Sequence, residues 1–429
     1  MNAGTAVVDI TPATGTALAG YFHQRRATAV HDPLLVKALV LESGENAVAI
    51  VACDLIALTR DTVQRLRKTA EIQCGICAQD IMVACTHTHL GPATIDAFET
   101  SADHAALDRT VEAASQALLE AKSALQPVIL RMSRAQLHGV AFNRRYRMAD
   151  GTVRTNPGVR PDIIGPVGPV DPDVIVLSLT RDAGDPIAVI VSFALHLDTI
   201  GGDVVSADYP AFMSALIQAE LGEQVVPMFL NAACGDVNHI NFVSPCHPIQ
   251  GFERAQAIGE ALGRKVLQLL PEGKSVPPRI RAGSQTLRLD IRTIAPDEVA
   301  KAQEVLAAAP APTSMTMEQM WARETVEVSR LPRSVEVEIQ GLLLGDCALV
   351  GIPCEVFAEL GLEIKQRSPF PMTGVVELAN GCEGYLPTRR AYDEGSYEVT
   401  PARSSKLAPG SGEAVVEAAV NVLHSLSAD

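Results

Sequence analysis

The stretch Ile81-Met82-Val83-Ala84-Cys85-Thr86-His87-Thr88-His89-Leu90-Gly91-Pro92 decides how this chain is read. An apolar run feeds into a Gly-Pro turn, the pattern of a buried strand that stops abruptly. Side chains two apart on an extended segment point to the same face, so His87 and His89 are expected to converge at the strand's end. Neutral imidazole is a common metal ligand, and a His-x-His pair offers two nitrogens to one ion.

Similar apolar runs lie at residues 7–10, 47–53, 187–195, 225–230 and 348–352. Their near-continuous hydrophobicity predicts strands buried on both faces. Leu107, Val111, Ala114, Leu118, Ala121 and Leu125 step by threes and fours, which predicts an amphipathic helix. Further helices are expected at 209–221, at 252–270 (closed by Pro271) and at 413–426. Alternating strands and helices predict an α/β chain with a layered sheet core and flanking helices. We expect residues 1–429 to form a single domain, with residues 271–334 as an excursion or subdomain. That segment holds Pro277-Pro278, an Ala/Pro stretch at 307–312 and a Met-rich helix near 315–321. No internal repeat is visible in the sequence.

Composition narrows the function. A net charge of -15 repels phosphate backbones and argues against nucleic-acid partners. No apolar run approaches the roughly 18 residues of a membrane span. The start, Met1-Asn2-Ala3-Gly4-Thr5, lacks a basic, then apolar, leader. Nine scattered cysteines, an odd number, fit free thiols in a reducing compartment, so a cytoplasmic location is expected. Cys74-x-x-Cys77 has no second pair at zinc-ribbon spacing. The expected partner is a small-molecule substrate, and a homo-oligomer is compatible with the sequence.

The strand ends are rich in chemistry. The run at 187–195 is followed by His196 and Asp198. That at 225–230 is followed by Asn231-Ala232-Ala233-Cys234-Gly235-Asp236-Val237-Asn238-His239, and that at 348–352 by Pro353-Cys354-Glu355. Singly, each residue has a plainer role: a core histidine, turn residues, a carboxylate at a helix start. Together they are hard to explain by packing, because each buried polar group needs a partner, and a metal is one partner for all. Neither His-x-His-x-Asp-His nor His-Glu-x-x-His is present, so those two metal-hydrolase patterns are excluded.

Several short pieces occur in a specific order: Ala6-Val7-Val8-Asp9-Ile10-Thr11-Pro12, Leu18-Ala19-Gly20-Tyr21 and His31-Asp32-Pro33-Leu34, then Thr86 to Pro92, Asn143-Arg144-Arg145, Asn231 to Asn238, Pro353-Cys354-Glu355, and Asn380 to Tyr385 with Tyr397. This order resembles the neutral/alkaline non-lysosomal ceramidase family, specifically its N-terminal catalytic domain, from about residue 5 to about 400. The resemblance implies that fold, hydrolase activity and one zinc held by His87, His196, Glu355 and Tyr385. It implies active-site roles without metal ligation for His89, Arg144 and Tyr397, whose donors suit a developing oxyanion.

Two departures alter the expected chemistry. The family's proposed nucleophile is a serine, and its place is taken here by Asn238, followed by His239. An amide cannot serve as that nucleophile, so zinc-activated water is expected instead, with Asp198, Asp208, Asp236 and His239 as candidates to accept its proton. The family's C-terminal immunoglobulin-like domain is not expected in this chain. The expected function is zinc-dependent cleavage of a carbon–nitrogen amide or an ester/lactone bond. One alternative is a hydrolase of small polar lactones or cyclic amides in bacterial catabolism, with Arg144 and Arg145 gripping a carboxylate bidentately. The other is a non-catalytic zinc- or ligand-binding homologue.

Overall fold

Strand β2 (Leu35–Ser43) sends Val36, Ala38 and Val40 to one buried face and Leu39 and Leu41 to the other. In the computed structural model, which describes every residue except 183, 247, 309–314 and 429, this two-sided burial recurs in three sheets. The first sheet holds β1 (Asn2–Asp9), β2, β3 (Asn46–Cys53) and β4 (Ile81–Cys85). The second holds β5 (Ile129–Gln136), β6 (Asp173–Thr180), β7 (Pro186–Phe193) and β8 (Val226–Asn231). The third holds β9 (Ile280–Asp290), β10 (Ser334–Leu344), β11 (Cys347–Ile352) and β12 (Met372–Glu377). In each, three strands pair antiparallel and a fourth adds parallel to the third, at β3/β4, β7/β8 and β11/β12. A parallel neighbour requires a crossover. Helices α1 (Arg60–Cys74), α3 (Tyr209–Leu221) and α7 (Ala358–Arg367) provide it, and α2 (His104–Ser123), α4 (Phe252–Leu269) and α8 (Ser411–Ser427) follow the parallel strands.

The inner faces of the three sheets share one core, with Leu39 and Ile50 from the first, Leu177 and Ile190 from the second, and Leu342 and Leu349 from the third. Each outer face is sealed by its helix pair: Leu66 and Leu118 on the first, Met213 and Ile258 on the second, Leu360 and Leu423 on the third. The apolar runs are therefore continuous because both faces are covered, although most pairings are antiparallel. The fold repeats three times where the sequence shows no repeat. What recurs is a burial pattern that Val, Ile, Leu and Ala satisfy interchangeably.

The strand at 81–85 and the helix at 209–221 match the sequence reading, while β1 begins earlier, at Asn2, and the run expected to be buried on both faces is not, since Val7 is exposed and Val8 only partly buried. Residues 271–334 contain β9, which pairs with β10 from Ile280↔Leu344 to Asp290↔Ser334, and two helices packed on each other, α5 (Pro296–Ala307) and α6 (Met317–Ser329). The expected Met-rich helix is α6. The expected Ala/Pro stretch lies mostly outside the described residues, from 309 onward. No helix among the described residues is long and apolar enough to cross a membrane.

The parallel edge strands β4, β8 and β12 meet at the centre of the molecule. Side chains at or shortly past their ends join them. Asn380 Oδ1 accepts from Val83 N at 2.9 Å, and the Asn380 N–H donates to Val83 O at 2.7 Å. Asn231 Nδ2 donates to Thr86 O at 3.3 Å. Glu377 Oε2 accepts from the backbone N–H groups of Cys234 and Val356, each at 3.0 Å.

Burial raises the Glu377 carboxyl to about 7, so in the metal-free protein it holds its proton well above the ordinary range. A raised carboxyl contributes stability that is complete below the unfolded-state value and is lost as pH rises through the folded value. Glu377→Gln keeps an acceptor for both backbone donors and cannot ionise. Its stability relative to wild type, measured by urea unfolding of metal-free protein, is expected to improve by about 3 kcal/mol from pH 4.5 to pH 8.5. An unchanged difference across that range would contradict the assignment.

Candidate metal centre

Beyond β4 the chain runs beside the end of β3, with Thr86 N–H donating to Cys53 O and His87 N–H to Leu55 O, both at 2.9 Å. His87 has φ 78, a left-handed conformation uncommon for a residue with a side chain. Strand alternation therefore does not bring His87 and His89 together, since the strand ends at Cys85; the turn at His87 does. Nδ1 of His87 lies 2.8 Å from Ile56 O, a geometry in which Nδ1–H donates and Nε2 keeps its lone pair.

His87 Nε2 lies 3.1 Å from His196 Nε2, which follows β7, and 3.3 Å from His89 Nε2. It lies 3.5 Å from Glu355 Oε2, a buried oxygen without a hydrogen bond among the described residues. Donors at zinc distances around a tetrahedral ion are about 3.3 Å apart, so each of these separations from His87 suits a pair of donors to a shared ion. The three imidazoles can all reach a common metal. Glu355 and Tyr385 are register partners in a short parallel pair, Glu355–Val356 with Tyr385–Leu386. This pairing brings the tyrosine beside the carboxylate.

Burial, joined by the charge of His87, pushes His89 and His196 well below the ordinary imidazole range, so both are neutral donors at neutral pH. Burial also acts to lower His87, but Glu355 and Glu377 together hold it raised. For Glu355, burial acts upward, and His87 and Arg144 with Tyr385 hold it below its ordinary value. Burial and the Glu355 charge raise Tyr385.

The other expected site residues surround this cluster. Arg144 is buried, donates through Nε to Glu398 at 2.9 Å and through Nη2 to Gly235 O at 2.8 Å, and places its guanidinium carbon 5.4 Å from the centre of the Tyr385 ring. The Tyr397 ring lies 5.5 Å from that of Tyr385. Asn238 pairs with Phe142 in a short ladder, donates to Asn156 Oδ1 at 2.6 Å and accepts from Ile240 N at 2.9 Å. Its amide thus fastens the loop. The expected Arg144–Arg145 carboxylate fork is not formed. Arg145 is 1% exposed and bound to Glu398 and Glu394, at 3.4 and 3.2 Å, because a buried guanidinium needs counter-charges.

The candidate proton acceptors separate by their partners. Asp208 caps α3 and accepts from Tyr209 N and Thr199 N, at 2.6 and 2.9 Å. Asp236 is occupied by Asn143 Nδ2 at 2.7 Å and Ala358 N at 2.8 Å. Asp198 accepts from the Tyr21 hydroxyl. Neither buried ring nitrogen of His239 has a hydrogen bond of ordinary geometry among the described residues, and burial lowers this imidazole to about 4. Asp198 and His239 are therefore the two left with capacity.

Sequence reasoning gave no role to Arg25, which stacks 3.8 Å over Tyr21 and donates to His89 O at 2.6 Å. The available signal was Gly20, with φ 95, where a Cβ would lie 2.4 Å from His89 Nδ1. Of the Cys74-x-x-Cys77 pair, Cys74 is buried and Cys77 exposed; both are free thiols, and the one group of potential metal ligands among the described residues is the histidine cluster.

A family model described as neutral/alkaline non-lysosomal ceramidase, N-terminal, matches residues 1–250. The fold is similar to the crystal structure of neutral ceramidase from Pseudomonas aeruginosa, with a TM-score of 0.77 and 18% identity over 99% of this chain and 74% of that one. It is equally similar to a ceramidase complexed with C2, with a TM-score of 0.77 and 17% identity over 99% and 75% of the two chains. No curated protein matches the sequence. The matched span holds His87, His89, Arg144, His196 and Asn238, while Glu355, Tyr385 and Tyr397 lie beyond it.

Arg145 bears on stability and not on the metal. Arg145→Met removes the guanidinium that Glu398 and Glu394 share, leaving them only Arg144 and Arg147 with Arg390, and is expected to cost about 3 kcal/mol in urea unfolding. Metal content per folded chain should be unchanged, and its loss would place Arg145 in the centre.

Proposed function

We propose, from the premise that this chain belongs to the neutral/alkaline non-lysosomal ceramidase family, that it is a zinc-dependent hydrolase of acyl compounds with an amide or an ester/lactone bond. The carrying observation is that His87 Nε2 lies 3.1 Å from His196 Nε2 and 3.5 Å from Glu355 Oε2, a buried carboxylate oxygen without a hydrogen bond among the described residues. His87, His196, Glu355 and Tyr385 would hold the ion. A second assignment, with His89 as a ligand in place of Tyr385, is favoured by the grouping of the three imidazoles. When bound, such an ion polarises a carbonyl and lowers the pKa of water towards roughly 7.

The chain's own residues supply the rest. Arg144 directs a buried positive charge towards Glu355 and Tyr385, and with Tyr397 it would stabilise negative charge developing on the carbonyl oxygen. Asn238 has no hydroxyl and its amide is engaged, which supports water as the nucleophile. His239 or Asp198 would accept the proton. Nine unbridged cysteines support a reducing, cytoplasmic setting. With both arginines engaged in the site, the reading does not require a carboxylate on the substrate.

Two measurements test this. Elemental analysis should find about one zinc per wild-type chain and none in His87→Ala/His196→Ala. Absence of metal from wild type prepared without chelators would overturn the reading. Arg144→Met should retain the metal and lower kcat/KM on amide, ester and lactone panels by about 100-fold or more. Bound zinc with no turnover on any panel would identify a non-catalytic binding protein.

A further inference from the structure

His89 stands in the candidate centre with its Nε2 3.3 Å from that of His87, yet its Nδ1 is buried and has no hydrogen bond among the described residues. His87 is oriented through its own Nδ1, which lies 2.8 Å from Ile56 O, the usual means of fixing a functional imidazole. The His89 ring has to be held in another way, and the segment at 17–25 supplies it.

That segment runs antiparallel to the chain just past His89. Leu18 bridges to Pro92, Ala93 N–H donates to Ala17 O at 2.9 Å, and Ala19 N–H donates to Gly91 O at 3.2 Å. The pairing delivers Gly20 to the His89 ring, where a Cβ would lie 2.4 Å from Nδ1 and 2.7 Å from Cγ. The Tyr21 ring is centred 5.9 Å from that of His89, and its hydroxyl donates to Asp198. Backbone and a tyrosine ring thus confine His89 on the side away from His87 and His196, whose rings are centred 4.8 and 5.1 Å from it.

Arg25 ties these walls together. Its guanidinium lies 3.8 Å over the Tyr21 ring and donates to three main-chain oxygens, those of Ala19, Gly202 and, at 2.6 Å, His89 itself. These oxygens lie 6, 177 and 64 positions from Arg25 in the chain. A half-buried cation that spends its donors on carbonyls is a clamp, and a planar fork can join three segments where a single ammonium could not.

We propose that Arg25 is a positioning residue: by joining the His89 and Ala19 carbonyls to the Tyr21 ring, it holds the His89 imidazole in the orientation in which Nε2 faces His87. Arg25 acts through His89, and only its effect on turnover rests on the hydrolase reading of the same site. Small displacements of an active-site group cost rate more than they cost binding.

The first readout is independent of turnover. Imidazole NMR resonances are recorded on the metal-free chain, those of His89 being identified by their loss in His89→Ala. Arg25→Met should move them and leave those of the exposed His104 and His138 in place. Unmoved His89 resonances overturn the proposal. The second readout uses zinc-loaded chains and para-nitrophenyl acetate. Arg25→Met should lower kcat about ten-fold or more and keep KM within about three-fold. In a His89→Ala background the same substitution should change kcat by less than about two-fold, because nothing is left for Arg25 to position. Equal losses in the two backgrounds overturn the proposal and leave Arg25 a general support of the fold. A thermal unfolding curve accompanies each variant. Should Arg25→Met fail to fold, Arg25→Lys, which keeps the charge and lacks the fork, is read by the same two criteria. Moved His89 resonances in a chain without turnover would keep the positioning role and remove the hydrolase reading.

Discussion

Three parallel edge strands ending at one place set the terms for everything around them. Where β4, β8 and β12 stop, backbone donors and acceptors are left without ladder partners, deep in the protein. An unpaired buried polar group costs roughly 1–3 kcal/mol. The chain answers with side chains at or shortly past the strand ends: Asn380 on Val83, Asn231, the last residue of β8, on Thr86, and Glu377, the last residue of β12, on Cys234 and Val356. These bonds hold three sheets in fixed relation, and the histidines and Glu355 are mounted on that junction. A metal centre built from separate sheets needs this rigidity, because donors must stay within a few tenths of an ångström of their ligating geometry.

The same junction carries unrelieved cost. His87 takes a left-handed backbone, three imidazoles face one another, and Glu355 Oε2 makes no hydrogen bond among the described residues. Such features persist where surrounding structure over-determines them, and they concentrate at functional sites. The contrast with Arg145 is instructive. It is as deeply buried, yet Glu398 and Glu394 answer its charge, so it can be read as structure. The donors of the centre face one another instead, and that difference separates a structural polar cluster from one arranged for a ligand.

Much of this was legible in the sequence. A polar residue at the end of an apolar run is conspicuous, which is why His87, His196 and Glu355 stood out although they lie far apart in the chain. What periodicity could not supply was the path between them. His87 and His89 meet through a positive-φ turn and not through strand alternation. The three-fold recurrence of strands and helices was invisible because burial on both faces constrains hydrophobicity and leaves residue identity free. Arg25, whose engagement with His89 is purely spatial, could be inferred only indirectly, through a glycine at position 20. Sequence reasoning also left four proton acceptors equal. Their hydrogen bonds divide them, since Asp208 and Asp236 spend their oxygens on a helix start and a loop.

An aromatic cluster shows how little composition says about placement. An average of 4% aromatic residues carries no information about where they lie. Phe22, Phe98, Trp321 and Tyr397 come from regions separated by up to 375 positions in the numbering of the chain and still meet ring to ring. Other aromatics, such as Phe193, Tyr209 and Phe229, pack into the cores, whereas these four rings stand outside every core found among the described residues, and the place where they gather borders Tyr385 and Glu355. The cluster is tied by Arg403 and Glu99 outside the cores, so the rings and the histidines occupy different parts of the fold: the rings stand on α6 and the segments of Phe22, Phe98 and Tyr397, the histidines beside the three-sheet junction.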